Sequence, residues 1–558
     1  MSLRSVCAVI LWLGLCSQAP APRFAGRASF RISGTVVDSR SGEPLGKAEV
    51  DLGAVSGGDT SRRLLTAPDG RFLFELLPPG KYVLSAKRKG FVQQYFQQHE
   101  GGFSTGVAVG PGLDSENLIF PLLPAATISG RITDESADSV RGAEVMLFHE
   151  DFHDGKKSTT LQRQTASDSE GRFHFGRLLP GRYFVAVSAH PWYAQHPLRQ
   201  PADAGGSNAV SGFRLLPPAG QNASLDVAYP ITFYGGATES SAASAINLLP
   251  GEAATADVPL HPVPALHLFV KAPNVDPSQG VDVQVTQRTF DGHEVYQRTQ
   301  TAFMDNHIIE IMGVAPGPVV IKMNSSNEKG RFTIRRALVA SADAELSLAE
   351  SASGPLISGI IKTPGASDFP QGATVQIHSR ETGETMDASI TADGSFDFQN
   401  RSAKPGSYEL SISNLADFHL ERVQAEHARI AGRSLEIRGT ESVRLTLFLT
   451  KGFGSVVGMA LREGKPASGV MILLVPQDSQ SDPSQFRRDQ SDSDGTFSLA
   501  RLPPGQYILL AVDDGWDAEW ANPLVLKKWL AGGEIVRVVS EGQLSIKVKV
   551  QPASAASQ

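Results

Sequence analysis

One phrase recurs along the chain: an acidic residue and a glycine, an alternating apolar segment, a proline-glycine, then usually a tyrosine. It reads Asp69-Gly70 to Pro79-Gly80-Lys81-Tyr82 and Glu170-Gly171 to Pro180-Gly181-Arg182-Tyr183. It is degenerate at Asp305-Asn306 to Pro316-Gly317, and returns at Asp393-Gly394 to Pro405-Gly406-Ser407-Tyr408 and Asp494-Gly495 to Pro504-Gly505-Gln506-Tyr507. A phrase at a fixed period is one supersecondary unit repeated in tandem. A period of roughly a hundred residues is too long for a solenoid repeat and suits a small domain.

Asp-Gly between alternating segments is a hairpin signal, because the turn needs a positive φ that glycine adopts freely. Phe72 and Phe74, Phe173 and Phe175, Phe396 and Phe398, and Phe497 and Leu499 follow the turn two apart, on one face of a strand. Proline-glycine breaks that strand, and Tyr82, Tyr183, Tyr408 and Tyr507 begin the inward face of the next. The units also open alike, on Ile32-Ser33-Gly34, Ile128-Ser129-Gly130, Ile357-Ser358-Gly359 and Val456-Val457-Gly458. The gap from Gly130 to Gly359 spans two periods, so a degenerate unit lies between, starting near Leu266-His267-Leu268-Phe269-Val270. About seven short strands per unit predict an all-β chain of about five small antiparallel β-sandwiches of Greek-key type. The expected divisions are a signal peptide over 1–28, sandwiches over 29–124, 125–262, 263–354, 355–451 and 452–552, and a disordered tail over 553–558. The second sandwich carries a long Pro/Gly/Tyr-rich tail, and the last a short helix near Leu524 to Leu530.

The opening glycine strand, the Asp-Gly turn and the Pro-Gly-x-Tyr corner resemble the carboxypeptidase regulatory-like domain, a transthyretin-like (prealbumin-like) sandwich with a carbohydrate-binding-like fold. They are similar too to the B-type repeats of bacterial adhesins and to starch-binding-like sandwiches. The resemblance covers nearly all of the chain after residue 28, the third unit departing from it. It implies an exported bacterial protein of the kind found in soil bacteria, of acidobacterial type. It implies little about activity, since turn and core residues carry it.

Arg4 followed by the apolar run Val6 to Leu15 and small residues at Ala19, Ala21, Ala25 and Ala28 predicts an export signal. The run is too short to span a bilayer, and no membrane-spanning segment is expected after its removal. Localisation is then the periplasm, the cell surface or the medium. Both cysteines, Cys7 and Cys16, fall in this segment, so a chain cut after Ala28 holds no disulfide, thiolate metal site or cysteine nucleophile. The cut removes Arg4, Arg23 and Arg27 and no acid, taking the net charge from -7 to -10. Acidity without basic clusters argues against nucleic acid and anionic membranes as partners.

The chemistry-bearing patterns have structural explanations. His307-Ile308-Ile309-Glu310 holds a His-x-x-Glu, but Ile309 and Ile311 occupy the places of Phe72 and Phe74, so His307 and Glu310 point to opposite faces of a strand. Asp492-Ser493-Asp494-Gly495 and Asp168-Ser169-Glu170-Gly171 lack the further acids of a calcium loop. Lys47, placed on a strand, has no recurring asparagine partner for an isopeptide crosslink. No nucleophile elbow, phosphate loop or dinucleotide fingerprint occurs. Asp69, Asp393 and Asp494 lie in different units and are expected to sit exposed on loop tips as turn residues. No metal, cofactor or catalytic residue is assigned. Binding character rests with loop aromatics: Trp192, Tyr193, Tyr234, Trp516 and Trp520. These rings either grip a ligand, as flat faces on loops can, or plug joints between units. The expected function is a non-catalytic exported scaffold or binding module at the cell envelope, with polysaccharide or envelope proteins as partners. The alternatives are a carbohydrate-binding protein and an accessory to a metallocarboxypeptidase.

Overall fold

The computed structural model describes residues 29–553 except 56, 58–60, 114, 199, 202–214, 217–222, 272–280, 305–307, 328–329, 348–354, 366–368, 371, 381–384 and 479–481. The signal segment, His307 and residues 554–558 thus lie outside the described residues.

The fold is all-β, and its large cores follow one another along the chain. They draw on residues 32–122, 126–260, 266–346, 357–449 and 456–548. In the first, one sheet orders strands Arg71–Leu77, Phe30–Asp38 and Leu118–Leu122; the other orders Arg62–Leu65, Glu49–Ala54, Gly80–Lys87 and Gln94–Tyr95. Their inward faces meet through Phe72, Phe74, Leu84 and Phe120. Residues 266–346 form two four-stranded sheets of their own despite the degenerate phrase.

Each sandwich adds parallel pairing to its antiparallel ladders; in the second unit Val258–Pro259 also joins the opening strand in parallel, and in the last unit the closing strand pairs in parallel with Gly505–Asp513 as well. The opening strand pairs in parallel with the closing strand in the first unit, and the same ladder recurs as Ala126–Thr133 with Ala253–Thr255, Leu266–Lys271 with Ala344–Ser347, Leu356–Lys362 with Val443–Lys451, and Gly454–Arg462 with Gln543–Pro552. Parallel first and last strands put entry and exit at opposite ends of a unit, which is what tandem connection by short linkers needs.

This ladder explains the repeated glycine of the opening strand. A Cβ at Gly34 would collide with the Leu118 carbonyl and the Phe72 ring. At Gly130 it would meet Ala256 and Phe173, at Gly359 Phe396 and Leu445, and at Gly458 Ile546 and Phe497. In the third unit Val270 takes that register position opposite Ile309 rather than a phenylalanine, and the smaller partner lets a side chain in.

The acid-glycine turn differs from a simple hairpin. Ala67 donates to Arg71 O and Gly70 to Ala67 O, a three-residue loop closed by Gly70 at φ +75°. The strands it joins lie in opposite sheets: Arg62–Leu65 pairs with Glu49–Ala54, whereas Arg71–Leu77 pairs with Phe30–Asp38. The turn therefore crosses the sandwich, and the proline-glycine crosses back. At the second crossing the tyrosine hydroxyls donate to the carbonyl four residues upstream: Tyr82 to Pro78 (3.0 Å), Tyr183 to Leu179 (2.8 Å), Tyr408 to Lys404 (2.7 Å) and Tyr507 to Pro503 (2.7 Å). All four rings are buried. Lys47 sits in the turn before strand Glu49–Ala54 rather than on it, exposed and at φ +57°.

Candidate functional site

The five aromatic candidates fall in three places. Trp516 follows strand Gly505–Asp513 in a tight turn, and Trp520 leads into helix Pro523–Leu530. The helix starts on Asn522, whose side chain accepts from Leu524 N, with Pro523 at its first position. It turns Leu526 and Trp529 inward, and with Trp516 and Trp520 they cover the outer face of strand Met471–Pro476. Trp516 is 3% exposed and Trp520 1%.

Distant parts of the chain complete that burial. From the first unit, His99 stacks on Trp516 at 5.2 Å and 9°, and Phe103 packs against it at 4.9 Å. From the second unit, Gly155, at φ +66°, lies against the Trp520 indole so closely that a Cβ would enter the ring. Arg488 of the last unit lies over both Phe103 (4.9 Å) and Trp520 (4.8 Å). Its guanidinium bonds Glu100 Oε2 at 2.5 Å and also reaches the Asp154 carboxylate, while Asp154 N donates to Glu100 Oε1 at 2.6 Å. The Arg488 and Glu100 side chains are 9% and 6% exposed.

A second group of bonds ties the last unit to the first. Lys81 pairs with Asp492 and donates to Thr496 Oγ1 at 2.7 Å. Gly106 N donates to Asp492 Oδ1 (2.8 Å), Ser493 N to Gly106 O (2.9 Å) and Ala108 N to Ser493 Oγ (2.8 Å). Gln490 Nε2 donates to Gln97 O and Thr105 Oγ1. The loop 491–496 is thus docked, and Asp494 is half-buried where Asp69 and Asp393 are exposed. Burial pushes Asp489, beside this contact, up to about 6, against the pull of hydrogen bonds from Ser498 N and Gln490 N.

Trp192 and Tyr193 lie together on the second unit, rings perpendicular at 5.7 Å, and Trp192 is 87% exposed. The Tyr193 hydroxyl donates to Glu135 Oε1 and that of Tyr229 to Glu135 Oε2 at 2.9 Å. Tyr234 stands apart, half-buried against the core of the same unit. The structure therefore joins Trp516 with Trp520, and Trp192 with Tyr193, but not the five into one site.

A buried polar chain went unnoticed in the sequence. His196 Nδ1 lies 2.9 Å from Asp226 Oδ1, Asp226 Oδ2 lies 2.8 Å from His267 Nε2, and His267 Nδ1 lies 2.6 Å from Glu310 Oε1. It pins the tail of the second unit to the third. Burial opposes ionisation of Asp226, but hydrogen bonds from His196 and His267 outweigh it and hold its pKa well below the usual carboxylate range. Glu310 is fully buried, engaged with His267 on the face opposite Ile309 and Ile311. The available signal was a histidine and a glutamate inside apolar strands, Leu266–Lys271 and Ile308–Val314. Among the described residues no group of three or more histidine, cysteine or acidic side chains converges to hold a metal ion, and no helix is long and apolar enough to cross a membrane.

No curated protein matches the chain. Among solved structures, the Bacillus anthracis TIE protein shares 10% identity over 95% of this chain and 76% of its own, with a TM-score of 0.16. The shaft pilin SpaA from Lactobacillus rhamnosus GG shares 9% over 42% and 98%, with a TM-score of 0.20. BcpA, the major pilin subunit of Bacillus cereus, shares 8% over 94% and 99%, with a TM-score of 0.14. The family model of the carboxypeptidase regulatory-like domain matches residues 31–116 and 127–211. The opening Ile-Ser-Gly strand and the Tyr82 and Tyr183 corners fall inside those two matches, and the chain thus bears two tandem carboxypeptidase regulatory-like domains at the head of its row of β-sandwiches.

Proposed function

We propose that the protein is a non-catalytic, exported scaffold of five sandwich units, divided near residues 124, 262, 354 and 451, that presents binding surfaces at the cell envelope. The observation that carries this reading is the clasp at Arg488. Glu100, Asp154 and Arg488 come from the first, second and last units, and their charges are spent on one another. The Arg488–Glu100 pair is buried while Asp154 is largely exposed; buried ion pairs contribute little net stability over an apolar contact, but they are costly to break from one side. They specify which surfaces meet, which is the requirement of a scaffold with a fixed shape. Export rests on Arg4 and the apolar run Val6 to Leu15.

The test is small-angle scattering on the mature chain. Arg488→Glu should expand the particle by undocking the last unit, and Glu100→Arg should do the same. The double reversal should recover part of the compaction, since it restores the pair's opposite charges. An unchanged scattering profile in both single variants would remove the clasp and the scaffold reading with it. Assays for peptidase and glycosidase turnover on the same material should give none.

A further inference from the structure

Of the tryptophans among the described residues, Trp516, Trp520 and Trp529 are buried and Trp192 is not. An isolated exposed apolar residue is ordinary, but the surroundings of Trp192 are organised. Tyr193 meets it edge-on and fixes its own hydroxyl on Glu135, which also takes the Tyr229 hydroxyl. Glu135 is held in turn by its loop, where Asp134 Oδ1 accepts from Ser136 N (2.9 Å) and Asp138 N (2.8 Å). On the other side, Ala194 N donates to Pro191 O and Gln195 N to Leu225 O, so the segment bearing Trp192 is tied down too. Burial opposes ionisation of Glu135, yet the hydroxyls of Tyr193 and Tyr229 and the nearby exposed His261 hold its pKa below the ordinary value. The result is an exposed indole against Tyr193, whose hydroxyl is anchored on an ionised carboxylate, on a segment tied to the second unit.

We propose that Trp192, Tyr193 and Glu135, with the buried Tyr229 holding the carboxylate, form a binding site for a neutral hexopyranose unit of a polysaccharide. One face of such a ring presents C–H bonds with partial positive charge, which suit the negative face of the indole. Its rim presents hydroxyls. A carboxylate has about four lone-pair positions; two of those on Glu135 serve the tyrosines, leaving acceptors for charge-assisted bonds to sugar hydroxyls. The acidic run Asp134, Glu135 and Asp138 repels uronate, sulfate and phosphate groups, which selects neutral over anionic glycans.

This site depends on the protein being a binding module but not on the clasp. Retention of the mature chain on insoluble cellulose, chitin and mannan therefore tests it separately from the scattering experiment. At least one glycan should retain the protein. Trp192→Ala and Glu135→Gln should each weaken retention about tenfold or more, as truncation of a central aromatic or charged anchor does, with Trp192→Phe in between. The two Trp192 variants should melt with the parent, since that ring is exposed; Glu135→Gln, which leaves one amide oxygen for the Tyr193 and Tyr229 hydroxyls, is read only after its melting is matched to the parent's. A soluble oligosaccharide of the retained glycan should shield the parent, but not Trp192→Ala, from acrylamide quenching of tryptophan fluorescence. Failure of every neutral glycan to retain the chain, or undiminished retention of Trp192→Ala, would overturn the proposal. So would Trp192-dependent capture on a quaternary-ammonium resin, competed by choline, without glycan retention, which would make the site a cation pocket.

Discussion

At the scale of residues, the tyrosine corner is where one side chain has most influence on the fold. The Tyr507 ring fills the space between the sheets of the last unit, and its hydroxyl holds the Pro503 carbonyl across the turn. Tyr507→Ala should cost about 3–5 kcal/mol in denaturant unfolding, and Tyr507→Phe only about 1 kcal/mol for the lost hydrogen bond. An unchanged midpoint for Tyr507→Ala would mean the ring contributes nothing to the core. Asp489 supplies a pH dependence. Its folded pKa of about 6 lies above the unfolded value of about 3.9. The folded state then holds the extra proton between pH 4 and 6, so this residue's contribution to stability falls as pH rises through that window. With its partial exposure discounted, the loss is on the order of 1–2 kcal/mol between pH 4 and 7. Asp489→Asn should flatten the melting profile across those pH values, and a variant profile parallel to the parent's would assign the slope to other groups.

At the scale of elements, the opening strand of each unit is shaped by what packs on both its edges. Gly458 lies between Phe497 of the antiparallel neighbour and the Ile546 carbonyl of the parallel one. Because the second obstacle is backbone, no rotamer change relieves it. Gly458→Ala should cost at least about 1–3 kcal/mol, and adding Phe497→Leu should rescue it poorly. Full rescue by that second change, measured by thermal melting of the double variant, would show that only the ring sets the limit. The repeated glycines were legible in the sequence as a motif, but their reason was not. The closing strands Leu118–Leu122, Ala253–Thr255 and Gln543–Pro552 share no common phrase, so nothing local announces that they lie in parallel beside the opening strand. The acid-glycine turn was likewise legible as a turn, whereas its crossing from one sheet to the other was not. A positive φ at glycine is a local property; the partner of each flanking strand is not.

At the scale of the whole molecule, the row of units folds back so that its last member meets the first two. Gly155 of the second unit lies directly against the Trp520 indole of the last. Gly155→Ala should push the turn off Trp520, shift tryptophan emission to the red and speed protease cleavage between units. Phe148 and Tyr183 of the second unit should remain buried, because the change lies outside that unit's core. Unaltered emission would show that the joint tolerates a methyl group and is looser than its geometry implies.

By itself the sequence determined the all-β class, the alternating inward faces, the tyrosine corners and the period of the units. The first three follow from neighbours within a dozen residues, where strand periodicity and turn stereochemistry act, and the period follows from the recurrence of the phrase along the chain. Tertiary structure alone decided the parallel closing ladders, the chain from His196 to Glu310 and the clasp of Arg488 on Glu100 and Asp154. The clasp brings together residues 388 positions apart. Such pairings depend on how finished surfaces fit, with hydrogen bonds and charge satisfied only after docking, and no local pattern in the chain records them. The same division separates the aromatic candidates. All were visible as rings on loops, but tertiary packing on their own unit, completed by distant units, buries Trp516 and Trp520 and leaves Trp192 bare.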